Sequence, residues 1–133
     1  MKENTGYYQP GICNIGAYEI SKRRKEFLVS VILDLLLTGL IFNHHDSWWF
    51  WLLLFAVSSF TTLMYLQIRN RFCVKFGWFK QYNFKALGRK ELVNDSDHIA
   101  RDRKKALVIG WQTVMIGLIY TGLVYLLAQR FHF

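Results

Sequence analysis

One carboxylate stands inside a long apolar run. Asp34 lies at the centre of FLVSVILDLLLTGLIFN, residues 27–43, nine positions beyond Lys25. Nine residues of helix advance about 13 Å, close to the midplane of a hydrocarbon core. A charged group there costs at least about 2.5–3.5 kcal/mol, so it must face protein or water rather than lipid. Its neighbours favour an inward stripe: Ser30, Asp34 and Thr38 recur every fourth residue and share one helix face. Thr113, Gly117 and Thr121 repeat that spacing near the C-terminus, and Ser58 and Thr62 form a shorter copy. Small residues at this spacing let helix backbones approach closely, which marks Ser30, Thr38, Gly117 and Thr121 as helix-packing positions. Counting inward from the basic residues at each end puts Asp34, Gln112, Thr113, Ser58 and Thr62 at similar depth. The expectation is a shared polar layer in which Asp34 packs near Gln112 or Thr113.

A second set could do thiol chemistry. Cys13, Cys73 and His98 all fall in polar segments on the same side of the apolar runs. They could form a redox pair or part of a metal site, but no C-x-x-C or zinc-like Cys/His spacing joins them. Packed small apolar residues are the plainer reading of both cysteines. His44, His45 and Asp46 are adjacent in a short turn, where neighbouring side chains diverge and make a polar tip rather than a metal site. No P-loop, dinucleotide fingerprint, H-E-x-x-H or G-x-S-x-G occurs. No cofactor and no metal is therefore expected.

These residues are positioned by three apolar blocks: 27–43, 47–68 and 106–127. The first covers about 25 Å as a helix, near the lower limit for a span, and the other two match a core of roughly 30 Å. The chain has 133 residues, 53% of them hydrophobic and 17% aromatic. That excludes a disordered chain, and 133 residues cannot enclose three such helices in a soluble core. The fold expected is an all-α membrane protein: a helical hairpin, a third span and a basic amphipathic loop, forming one integral membrane domain. Its parts are an arm (1–26), the three spans, the loop 69–105 and a tail (128–133). The first block is not a cleavable signal peptide, because its basic flank lies more than twenty residues in and no small-x-small site follows. Ser47 is the expected N-cap of the second helix and Asn94-Asp95-Ser96 the start of the third.

Charge sets the expected orientation. The arm carries five Lys/Arg and the loop eleven, against none at the hairpin tip and Arg130 alone in the tail. The positive-inside rule puts the arm and loop in the cytoplasm, and the tip and C-terminus outside. Trp48, Trp49 and Trp51 suit the outer aromatic belt, and Trp78 and Trp111 the inner one. The net charge of +8 then serves topology, so nucleic-acid binding is not expected. The partners expected are membrane lipids: Lys22, Arg23, Arg24, Lys75, Lys80, Arg103 and Lys104 face anionic headgroups, each contributing roughly 1 kcal/mol near the surface. Phe72, Phe76 and Phe79, interleaved with Lys75 and Lys80, read as an interfacial segment lying in the headgroups.

Gly11-Ile12-Cys13-Asn14-Ile15-Gly16, then Glu19-Ile20 and the basic run 22–25, form one distinctive stretch. Arg71-Phe72-Cys73 with Phe76-Gly77-Trp78, and later Asn83-Phe84 and Leu87-Gly88, form another. Together they resemble small bacterial membrane proteins that have no assigned activity. The resemblance covers about a third of the chain. It implies a bacterial inner membrane, with the arm and loop as the working face.

The function expected from these features is that of a small integral membrane accessory protein, packing against a larger membrane protein or against itself. One alternative is an oligomeric transporter or channel subunit using Asp34. Another is a membrane enzyme or redox protein using Cys13 and Cys73.

Overall fold

The computed structural model describes residues 8–44, 46–84 and 91–131. In chain order it contains α1 (Ala17–Asn43), α2 (Trp48–Asn70), a short α3 (Val74–Trp78), β1 (Gln81–Tyr82), β2 (Glu91–Leu92) and α4 (Ser96–Arg130). The helices α1, α2 and α4 are each long and apolar enough to cross a membrane, as in a multi-pass membrane protein. At 35 residues, α4 is about 52 Å long, well beyond the roughly 30 Å of a hydrocarbon core. Its first turns, rich in Arg and Lys, therefore project beyond its apolar part.

Local chemistry sets the helix ends. Asp95 caps α4: its carboxylate accepts from the backbone N–H of Asp97 at 2.8 Å and of His98 at 3.3 Å, satisfying donors that the first turn leaves free. Those bonds, His98 first, hold the Asp95 carboxyl below its ordinary pKa. Asp97 pairs with Arg101 one turn later at 2.9 Å. Ser47 occupies the N-cap position of α2, but its side chain makes no capping bond. The hairpin is instead closed from the other side, where the His44 N–H bonds the carbonyls of Leu40 and Ile41. Arg71 ends α2 in the left-handed conformation, φ 51°.

The short connection makes α1 and α2 antiparallel. α2 packs against both α1 and α4, whereas α1 and α4 barely touch. Near the hairpin tip, Leu37 and Ile41 of α1, Leu54 of α2 and Val124 of α4 form one buried cluster. Toward the basic end, Leu66 and Phe72 meet Ala106 and Ile109 of α4. Gly117 permits a close approach of α2 and α4: a Cβ there would collide with Ser59 Oγ and lie 3.3 Å from the Phe55 ring.

The fold is mostly helical, and the basic loop adds a small antiparallel ladder in which β1 and β2 pair Gln81 with Leu92 and Tyr82 with Glu91. One expectation is corrected: the phenylalanines of the basic loop do not line an exposed interfacial segment. Phe72 and Phe76 are buried, and of the three phenylalanines only Phe79 is exposed. Gly77 explains why α3 can pack so closely, since a Cβ there would sit 2.7 Å from the Phe72 ring. The arm is likewise folded in: Ile15 pairs with Asn83 in a parallel bridge, and Ile15, Ile20, Cys73 and Phe76 form a third buried cluster. The basic end of the bundle is thus a small packed head.

Candidate functional site

The head is held by a buried polar network. Asn14 is fully buried, and its side-chain amide takes both roles toward Cys73: Oδ1 accepts from the Cys73 N–H at 2.7 Å and Nδ2 donates to the Cys73 carbonyl at 3.1 Å. Its backbone N–H donates to the Arg71 carbonyl, and its carbonyl accepts from the Asn83 N–H. Asn83, also fully buried, donates through Nδ2 to Glu19 Oε1 at 3.1 Å. The other Glu19 oxygen pairs with Arg23 at 2.6 Å. Arg23 then donates through its second terminal nitrogen to Cys73 Sγ at 2.9 Å and lies over the Phe76 ring, 5.9 Å from its centre. Buried charges need such pairing, because removing them from water is costly. The arm, α1, the α2–α3 connection and the loop are thereby tied at one place.

A second buried acid sits nearby on α4. Asp102 is fully buried, accepting from the Tyr8 hydroxyl at 2.5 Å and from the Gly11 N–H at 2.7 Å. Gly11 has φ +67°, and a Cβ there would press on Arg101 at 3.2 Å. Burial pushes the Asp102 carboxyl above its ordinary pKa, against the lowering effect of its two donors. Burial and the Asp102 acceptor push the Tyr8 phenol well above its ordinary value.

Within the expected thiol group, Cys73 and His98 turn to different partners. Cys13 and Cys73 are both buried free thiols. Burial pushes the Cys13 thiol up. Cys73 faces Arg23, whereas the His98 ring faces Tyr8, 6.1 Å between centres. Among the described residues no three His, Cys, Asp or Glu side chains are grouped to hold a metal. His44 stacks toward Phe50, while His45 lies outside the described residues.

Of the basic residues expected at headgroups, Lys22, Arg24, Lys75, Lys80, Arg103 and Lys104 are exposed, with Arg103 stacked over Trp78 at 5.5 Å. Arg23 is corrected. It is 9% exposed and bonded within the head, because Glu19 one turn earlier and Cys73 draw it inward.

The polar layer of the long helices is only partly assembled. Asp34 is partly buried, and its Oδ1 is shielded with no hydrogen-bond partner. Ser30, Thr38, Ser58 and Thr62 donate to carbonyls of their own helices, and Thr38 also meets the Tyr120 hydroxyl of α4 at 2.9 Å. Thr113, Gly117 and Thr121 face inward with the two hydroxyls unpaired. Gln112 is corrected: it is exposed on α4, and among the described residues no hydrogen bond joins it to Asp34. With α2 packed against both helices, the outward face of α4 cannot reach α1.

Sequence reasoning missed Asn14, Glu19, Asn83, Asp102 and Tyr8 as network members. A signal existed in Glu19 and Arg23, spaced for an i, i+4 pair. No protein-family model matches the chain, and no curated protein or solved structure is significantly similar to it. What the head and the long helices can do is therefore argued from their geometry.

Proposed function

We infer that this chain is a small integral membrane accessory protein, which associates through its long helices with a larger membrane protein or with a second copy of itself. Gln112 carries the reading. It lies about 10 Å inside the apolar part of α4, counted from Lys105, and its amide points outward with no partner among the described residues. An amide facing hydrocarbon is unfavourable, and a polar group on a neighbouring helix relieves it. The distribution of Lys and Arg supports an arrangement with the head in the cytoplasm, the hairpin tip and C-terminus outside, and the exposed basic residues at the lipid surface. A bacterial inner membrane fits this reading. The packed head then holds the inner ends of the helices in fixed register and presents a small, rigid cytoplasmic face. The test is the mass of the intact complex extracted in mild detergent. A species heavier than one 15.8 kDa chain, lost in Gln112→Leu, supports association. A monomer in both contradicts it.

A second reading rests on Asp34, whose shielded and unpaired Oδ1 suits an oligomeric transport subunit. Asp34→Asn separates the two: loss of a transport phenotype with assembly intact favours transport.

A further inference from the structure

The pair α1–α2 leaves an open groove of about 520 Å³ on its outer surface. Its walls are apolar, with Val29 and Leu33 from α1 and Ala56 and Phe60 from α2, and Lys25 and Glu26 stand at one end. From Lys25 to Leu33 the groove descends about 12 Å along the helix, a little less than half of a hydrocarbon core. It is thus one leaflet deep, with its charged end beside the basic head. Among the described residues neither Lys25 nor Glu26 has a hydrogen-bond or ion-pair partner.

We propose that this groove holds one phospholipid with an aminoethyl headgroup, a phosphatidylethanolamine, drawn from the leaflet that surrounds the head. The apolar walls take an acyl chain, for which the bilayer supplies the only solvent at that depth. Lys25 and Glu26, consecutive on α1, line that end chiefly with their carbon stems, and carry one cation and one anion at the end of the groove nearest the head. The lipid phosphate pairs with the Lys25 ammonium, and the primary ammonium of the headgroup donates to the Glu26 carboxylate. A quaternary choline has no N–H to donate, and a glycerol headgroup offers Glu26 only neutral hydroxyls, without the positive charge that offsets the phosphate. A partner helix is the poorer occupant, since it would run past the groove and desolvate both charges. The proposal rests on the membrane placement inferred above, but not on association through Gln112.

The test is native mass spectrometry of the full chain in mild detergent, titrated in turn with phosphatidylethanolamine, phosphatidylglycerol and phosphatidylcholine. The expected result is one retained phosphatidylethanolamine, preferred about tenfold over the choline lipid, as one charge-assisted hydrogen bond provides. Glu26→Gln is expected to remove that preference, and Ala56→Phe, which fills the groove, to remove retention. Ala56→Phe is compared at equal protection of Cys73 from alkylation, which reports an intact head. Equal retention of the three lipids, retention unchanged in Ala56→Phe, or a protein chain in place of lipid would overturn the proposal. Resistance of the chain to carbonate extraction from membranes separates two failures. A resistant chain without lipid selectivity refutes the groove alone, and an extractable chain refutes the membrane placement as well.

Discussion

Arg23 on α1 donates to the sulfur of Cys73 at 2.9 Å, fifty residues further along the chain. The same guanidinium holds Glu19, and Glu19 in turn holds Asn83. One side chain from a run of four basic residues therefore fixes the arm, α1 and the loop relative to one another. A guanidinium suits this position because its planar fork serves several acceptors at once, which an ammonium on a flexible stem does not.

Removing that cation leaves a buried carboxylate unpaired. Arg23→Ala is expected to destabilise the head by about 3–5 kcal/mol, and Arg23→Lys to recover only part of the loss. The double change Glu19→Gln with Arg23→Met removes both charges and is expected to cost less than Arg23→Ala. Thermal unfolding in detergent, followed by proteolysis of residues 8–26, measures the order.

The thiols give a second readout of the same packing. Cys13 and Cys73 are 6% and 3% exposed, so neither is expected to react with iodoacetamide while the head is folded. Arg23→Ala is expected to expose Cys73, and alkylation followed by mass analysis of the peptides checks this. Ready alkylation of both thiols in the unaltered chain would contradict the packed head.

Tyr8 provides a pH dependence. Its phenol is raised above its ordinary value by burial and by the bond to Asp102. A raised folded-state pKa means that the stabilisation is complete below the unfolded value of about 10 and is lost as pH rises beyond it. Ultraviolet titration of phenolate is expected to show a late-ionising tyrosine that is absent in Tyr8→Phe. The unaltered chain is expected to lose stability relative to that variant only above about pH 10.

Glycines on the long helices divide by environment. Gly117→Leu drives a side chain into Ser59 and Phe55, and overpacking of this kind costs about 1–3 kcal/mol. Gly39, Gly110 and Gly122 have nothing within 4 Å of an added Cβ, so alanine there is expected to leave stability unchanged or raise it. Unfolding in detergent distinguishes the two groups.

The long helices were legible because apolar runs near twenty residues have few alternatives, and the Asp95 cap because Asx residues before a helix satisfy its free N–H groups. The head was not. Arg23 has the same chemistry as Lys22 and Arg24, and only Glu19 and Cys73 distinguish it. Phe72 and Phe76 alternate with basic residues as they would in headgroups, yet Ala106 and Ile109 of α4 cover Phe72 and Ile15 of the arm packs with Phe76. Gln112 and Thr113 are adjacent in sequence and 100° apart on α4, so depth alone could not say which faces α2.

Association within the membrane is tested most directly by a photo-crosslinking amino acid at position 112 in native membranes, with the exposed Ile32 position of α1 as control. The account predicts a discrete protein adduct at 112 and none at 32. Absence of any protein adduct at 112, with the chain inserted and its head intact, would contradict it.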